Sequence, residues 1–209
     1  MKKAVIFLNG KLPDKRIIRN YIDRNSYIVA ADGGANNIMG MDIIPNVIIG
    51  DLDSVAKETL EHFKDKSDVI HITEQESTDF EKCIRFCDFN KFDTMYIFGA
   101  TSMRPDHTMN NFSILRRYYK KMNIIMITDE YEIFFIDKLV KFNYPLGEVV
   151  SMLPLPKAYG IITDGLVYKL ENEDLEFGSR EGSLNRSNKK NVVISFSAGD
   201  LLLFKKHFN

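Results

Sequence analysis

Val47-Ile48-Ile49-Gly50-Asp51-Leu52-Asp53-Ser54 reads as a buried strand running out into a polar turn. β-Branched residues ending in glycine suit a strand covered on both faces. Two carboxylates follow with one residue between them. In extended chain, residues i and i+2 point the same way, so Asp51 and Asp53 are expected to converge on one cation. At a strand end such a pair suits magnesium, which takes oxygen ligands and keeps positions open for phosphate oxygens. A solvated acidic turn is the plainer reading of the same residues, and the rest of the chain must decide between the two.

On either side of this stretch, short apolar runs alternate with helical patterns. Strands are expected at Ala4–Leu8, Tyr27–Ala31, Val47–Ile49, Val69–Ile72, Thr94–Phe98 and Ile124–Ile127. Helices are expected near Asp14–Asp23, Ala35–Gly40, Val55–Phe63, Thr78–Phe89 and His107–Lys121. Continuous apolar strands alternating with amphipathic helices predict an α/β domain, a Rossmann-like, mainly parallel sheet covered on both faces. Each strand is followed by residues that bind or bend: Asn9-Gly10, Asp32-Gly33-Gly34, Gly50-Asp51, Glu74 to Asp79, Gly99-Ala100-Thr101 and Thr128-Asp129-Glu130. Ligands of open α/β sheets bind beyond the carboxyl ends of the strands. The same residues also turn and cap chains generally.

From about Phe134 helical periodicity fades. Short runs at Glu132–Ile136, Leu139–Phe142, Val149–Leu153, Gly160–Thr163, Val167–Leu170, Val192–Phe196 and Leu201–Phe204 are divided by turn signals, among them Glu171-Asn172-Glu173-Asp174 and Ala198-Gly199-Asp200. Such spacing predicts an antiparallel sandwich or small barrel. The expected organisation is therefore an α/β domain over residues 1–132 and an all-β sandwich over 133–209, with Gly178–Asn191 as a long loop.

The 209 residues carry 28 basic and 29 acidic side chains, a formal charge of −1. No global field draws the chain to nucleic acid or to a membrane surface. The apolar run after Met1-Lys2-Lys3 meets Asn9-Gly10 too soon for a signal-peptide core, and no run is long enough to span a bilayer. Cys83 and Cys87 share a face of an expected helix and are read as reduced core residues of a cytoplasmic protein.

The best third carboxylate is Asp79, in Ser77-Thr78-Asp79-Phe80-Glu81-Lys82. Ser77 or Thr78 can cap a helix there, and the helix dipole favours an acid in its first turn. In a functional reading Asp79 closes a magnesium site and Lys82 reaches a phosphate. Asp32-Gly33-Gly34 lets backbone N–H groups approach a ligand closely, or simply makes a tight turn. In the loop Gly99 to Thr108, Arg104 offers a planar fork of donors to phosphate oxygens. Asp106 is expected to cap the following helix, His107 starts it, and Asn111 shares its face one turn on.

Ala31-Asp32-Gly33-Gly34-Ala35-Asn36, Gly50-Asp51-Leu52-Asp53-Ser54, Gln75 through Lys82, and Arg104-x-Asp106-His107 with Asn111 occur in that order. This ordered set resembles the thiamine pyrophosphokinase family, and the resemblance continues through Asp164-Gly165-Leu166-Val167-Tyr168, Phe177-Gly178-Ser179 and Asn185. It implies an α/β catalytic domain, a C-terminal β-sandwich and a homodimer with thiamine in a cleft between subunits. It further implies magnesium-dependent transfer of a diphosphoryl group from ATP to thiamine. By position, Asp51, Asp53 and Asp79 match magnesium-binding carboxylates. Asp32, Gln75, Lys82, Arg104, Asp106, His107 and Asn111 are placed at the ATP and active site, and Ser179 and Asn185 near the thiamine ring. Asp79 or Asp106 is expected to take the hydroxyl proton. Two departures stand out: Ser102-Met103 where bacterial members commonly carry two glycines, and Leu184 where a serine usually precedes the asparagine.

Three rival readings share some of these residues. A pyrophosphokinase acting on a hydroxymethylpterin leaves the β-domain motifs unused. A metal-dependent sugar-nucleotide glycosyltransferase explains Asp51 and Asp53 alone. A binding module without chemistry has no need of three metal carboxylates.

Overall fold

The computed structural model describes residues 2–208. The chain divides between Asp129 and Glu130 into two units, against the 132/133 boundary expected above. No helix among the described residues is long and apolar enough to cross a membrane.

The first unit alternates strand and helix: β1 (Lys3–Phe7), α1 (Lys15–Tyr21), β2 (Tyr27–Ala31), α2 (Gly34–Ile38), β3 (Val47–Gly50), α3 (Lys57–Phe63), β4 (Asp68–His71), α4 (Asp79–Phe89), β5 (Thr94–Phe98), α5 (Pro105–Tyr118) and β6 (Asn123–Ile127). Its six strands are all parallel, in the order β4-β3-β2-β1-β5-β6. The chain winds outward from β1 to β4, then returns to place β5 on the other side of β1. The winding direction therefore reverses between β1 and β5, and it is outside such a switch point that open α/β sheets bind ligands.

The inner strands β1, β2 and β3 are largely apolar because both faces are covered, whereas the edge strand β4 is mostly exposed. Val5, Phe7, Ile28, Ala30 and Ile48 turn to one face and pack with Ile17 and Ile18 of α1, Ile38 of α2 and Phe63 of α3. The alternate residues Ala4, Ile6, Val29, Val47 and Ile49 face the other way and are equally buried. There α4 packs against β2 and β3, burying Phe80, Cys83, Ile84 and Cys87. Both thiols are free, and burial pushes them up, Cys87 to about 12, so they behave as small apolar core groups.

The second unit comprises β7 (Tyr131–Ile136), β8 (Leu139–Asn143), β9 (Val149–Asp164), β10 (Glu171–Glu176), β11 (Gly182–Arg186), β12 (Asn191–Ser195) and β13 (Ala198–Lys206). Every pairing among them is antiparallel. The 16-residue β9 is the spine. Along one edge it pairs with β13 and then β12; along the other, with β11 and then β10. Val150, Met152, Ala158 and Ile161 of β9 are buried with Leu175, Val192, Ile194, Leu201 and Leu203.

Five expectations fail in this unit. Ala198-Gly199-Asp200 is not a turn but the start of β13. Val149–Leu153 and Gly160–Thr163 are one strand, because the ladder to β13 skips a register between Gly199 and Leu201, opposite the stretch where Pro156 has no N–H to give. Glu171–Asp174 is strand and not turn: only Leu175 of β10 is fully buried, and the acidic residues form its exposed side. Val167–Leu170 is not a strand; a single bridge joins Leu166 to Ser187. The supposed long loop Gly178–Asn191 contains β11, whose alternation is masked by polar residues on an edge.

Candidate active site

Parallel neighbours β2 and β3 run in register, with Ala31 opposite Ile49, so the residues that follow them emerge side by side. Asp32 follows β2 and Asp51 follows β3. Asp32 has φ 44, a left-handed turn that swings its carboxylate over Gly50. Glycine is required at position 50 because a Cβ there would lie 2.6 Å from the Cβ of Asp32. From the next loop, Thr78 caps α4 by accepting from the Glu81 N–H, which makes Asp79 the first helical residue.

The three carboxylates thus brought together are Asp32, Asp51 and Asp79, each offering an oxygen within 4.8 Å of the others. Asp53, the expected partner of Asp51, is not in this group. Leu52 has φ 65, so residues 51–53 are bent rather than extended and the i, i+2 alternation does not apply. The exposed Asp53 carboxylate accepts from Ser54 Oγ at 2.8 Å, though its charge still bears on Asp32 and Asp79.

The three groups differ electrostatically. Asp32 is buried; its Oδ2 accepts from the Ser54 N–H at 3.1 Å, while its Oδ1 is buried with no partner. Burial raises its pKa, as do the charges of Asp79, Asp53 and Asp51. Burial likewise raises Asp79, against the pull of Lys82. Asp51 is lowered, chiefly by Gln75, whose Nε2 donates to its Oδ2 at 2.9 Å. Lys82 is almost wholly buried one turn into α4 and donates from Nζ to Asp79 Oδ1 at 3.1 Å. It is therefore a fixed cation beside the carboxylates.

These groups line a cleft of about 550 Å³. Asn9 and Gly10 after β1 and Gly99 and Ala100 after β5 also line it, which places the cleft at the switch point. Arg104, His107 and Asn111 complete one wall. Asn111 donates to the Ala100 carbonyl at 2.8 Å and so pins the β5–α5 loop. On α2, Asn37 donates to the carbonyls of Leu8 and Gly10, and Asn36 holds the 54–56 loop through Ser54 and Ala56.

Asp106 does not cap α5. Arg104 occupies the N-cap position without a side-chain cap, and Asp106 lies in the first turn. Its carboxylate instead takes the Arg104 fork, with Nη2 at 2.6 Å and Nε at 3.2 Å from its oxygens, which lowers it to about 2. Ser102 and Met103, at the two usual glycine positions, have φ 77 and 66, left-handed values that explain why glycine suits them.

In the all-β unit, Asn185 is buried and its side chain is committed to backbone. It accepts from the N–H groups of Tyr168 and Arg186 and donates to the Tyr168 carbonyl. It shapes the 165–168 turn, leaving Tyr168 and Val167 exposed beside it. Ser179 is exposed in the tight turn between β10 and β11. Leu184 is exposed with φ 58.

Family models described as "Thiamin pyrophosphokinase, catalytic domain" and "Thiamin pyrophosphokinase, vitamin B1 binding domain" match residues 18–127 and 136–201. Among curated relatives, Thiamine pyrophosphokinase 3 of Oryza sativa subsp. japonica is 29% identical over 231 residues, covering 96% of this chain and 85% of that one. Thiamin pyrophosphokinase 1 of Caenorhabditis elegans is 26% identical over 209 residues, covering 92% and 85%. The fold is shared with thiamine pyrophosphokinase from Bacillus subtilis, at a TM-score of 0.88 and 21% identity over the whole of both chains. It is shared also with thiamin pyrophosphokinase from Candida albicans, at a TM-score of 0.86 and 21% identity over 99% of this chain and 90% of that one. With one family model spanning more than half of its length and a second covering most of the rest, the chain belongs to the thiamin pyrophosphokinase family.

Proposed function

We propose that the protein transfers the diphosphoryl group of ATP to the primary hydroxyl of thiamine, giving thiamine diphosphate and AMP. The observation that carries this reading is the convergence of Asp32, Asp51 and Asp79, with the buried Lys82 beside them, in a cleft at the switch point of a parallel sheet. We read that unit as a Rossmann-like domain that binds ATP, and the all-β unit as a sandwich that contributes to thiamine binding.

The donor set suits Mg2+: three hard carboxylate oxygens, one of them, Asp32 Oδ1, buried and without a partner. Asp32 then takes the place expected for Asp53, which remains near enough to act through its charge. Bound there, the cation would neutralise charge on the phosphates and orient them. Gln75 holds Asp51 in place. Arg104, on the opposite wall, donates hydrogen bonds to phosphate oxygens, exchanging Asp106 for them when ATP enters; both partners are exposed, so the exchange costs little. Asn111 sets the position of that wall and His107 lines it, and Lys82 orients Asp79 rather than reaching a phosphate itself.

In the reaction the thiamine oxygen forms a bond to the β-phosphorus, the bond to the α–β bridging oxygen breaks, and AMP leaves with the electron pair. Positioning and charge stabilisation supply most of the rate. Of the two aspartates considered as acceptor of the hydroxyl proton, Asp106 is held near 2 by the Arg104 fork and is a poor base, which leaves Asp79, the one that lies among the cleft carboxylates. We further propose a cytoplasmic homodimer in which thiamine lies between subunits, with Ser179 and the turn shaped by Asn185 at its ring.

The test is purified protein with MgATP and thiamine. AMP and thiamine diphosphate forming in equal amounts support the proposal; nucleotide turnover only with a hydroxymethylpterin or a sugar-nucleotide acceptor would overturn it.

A further inference from the structure

Glu74 lies in the loop between β4 and α4, next to the cleft, and none of the roles above uses it. Its Oε2 accepts from the N–H groups of Glu76 at 2.8 Å and Ser77 at 3.1 Å, and its Oε1 accepts from Ser77 Oγ. Residues 74–77 are thus wound about a single carboxylate, and Gln75 projects from this turn to reach Asp51 Oδ2. Bonds from backbone N–H and hydroxyl to a charged acceptor are among the stronger ones in proteins.

The turn is also anchored. Arg85 of α4 sets Nη1 3.6 Å from Glu74 Oε1 and Nη2 3.5 Å from Glu81 Oε1. Glu81 is buried, and the same oxygen takes Arg117 Nη1 at 2.9 Å and Tyr118 Oη at 2.8 Å from α5. A buried carboxylate is held firmly when cations compensate its charge, and here two arginines and a hydroxyl converge on it. The loop that presents Gln75 is thereby linked at ion-pair distance to α4 and, through Glu81, to α5 by one half-exposed arginine.

We infer that Glu74 is a positioning residue for the cation site: it holds Gln75 against Asp51 and so presets the Asp51 carboxylate. The inference rests on the cation reading given above. Groups that orient a metal-binding carboxylate typically change metal affinity about 10- to 100-fold when removed. A residue that merely stabilised the loop would act independently of Gln75. One acting through Gln75 would lose its effect once Gln75 is gone.

The experiment is a double-mutant cycle with Glu74→Ala and Gln75→Ala, read by titration calorimetry of Mg2+ in the full chain, with KM for MgATP and for thiamine measured alongside. Glu74→Ala is expected to weaken Mg2+ about tenfold, to raise KM for MgATP and to leave KM for thiamine unchanged. In the Gln75→Ala background the same change should move Mg2+ affinity less than about twofold. Equal losses in both backgrounds, or a wild-type chain that binds no Mg2+, would overturn the inference. Should Glu74→Ala fail to fold, Ser77→Ala replaces it, with an expected loss of about threefold in the wild-type background and none without Gln75. Calorimetry needs no thiamine, so a coupled cycle in a protein that makes no thiamine diphosphate overturns the reaction and keeps Glu74. A productive enzyme with an additive cycle does the reverse.

Discussion

The Cα of Gly50 faces the side chain of Asp32 so closely that a methyl group on it would stand 2.6 Å from the Asp32 Cβ. One residue's lack of a side chain thereby decides where another residue's carboxylate lies. Gly50→Ala should displace Asp32 from Asp51 and Asp79. The overpacked chain is expected to lose about 1–3 kcal/mol of stability, and its Mg2+ affinity should fall more than its stability predicts. Chemical denaturation and calorimetry on the same variant check both.

Asp32→Asn separates function from stability. The native pKa of Asp32 is raised by burial and by neighbouring carboxylates, so its ionised form opposes folding above that pKa. As pH falls below the raised pKa the native carboxyl takes a proton, and the penalty shrinks until it is gone below the ordinary carboxylate pKa. The variant should therefore melt higher than wild type at pH 7 in a chelator, with the gap closing toward acid pH. Added Mg2+ should raise the melting temperature of wild type and not of the variant.

Asp51 and Asp53 should not be equivalent. Asp51→Asn removes a member of the converging group and is expected to lower kcat by about 100-fold or more. Asp53→Asn removes only a nearby charge and should cost about tenfold or less. Steady-state rates of the two variants at saturating MgATP distinguish them, and equal losses would return Asp53 to the cation site.

Ser102 and Met103 hold left-handed backbone at a cost of roughly 1 kcal/mol each. Replacing both by glycine removes that strain but adds freedom to the unfolded chain. The net expectation is a gain of up to about 1 kcal/mol in denaturant titrations, with KM for MgATP changed more than KM for thiamine, because this loop carries Arg104.

Much of this protein was legible in its residues. Apolar runs such as Val47–Ile49 and Thr94–Phe98 identify buried strands because parallel strands covered on both faces need no alternation. The order of the polar strand ends pointed to the family and to most of the cleft. Edge strands were harder to read. Glu171–Glu176 and Gly182–Arg186 bury little, so burial leaves almost no imprint on their composition.

Residue types and spacing by themselves determined the alternation of strand and helix, the change to an all-β pattern, and the acidic, glycine-rich character of the strand ends. Which carboxylate joins Asp51 and Asp79 was decided only by tertiary structure. Asp51 and Asp53 are neighbours in sequence, but Leu52 turns the chain between them. Asp32 and Asp51 are remote in sequence, yet β2 and β3 lie side by side and Gly50 leaves room for the approach. Sequence spacing constrains only residues whose backbone conformation is known; sheet order, set by the packing of the whole core, brought Asp32 to the site.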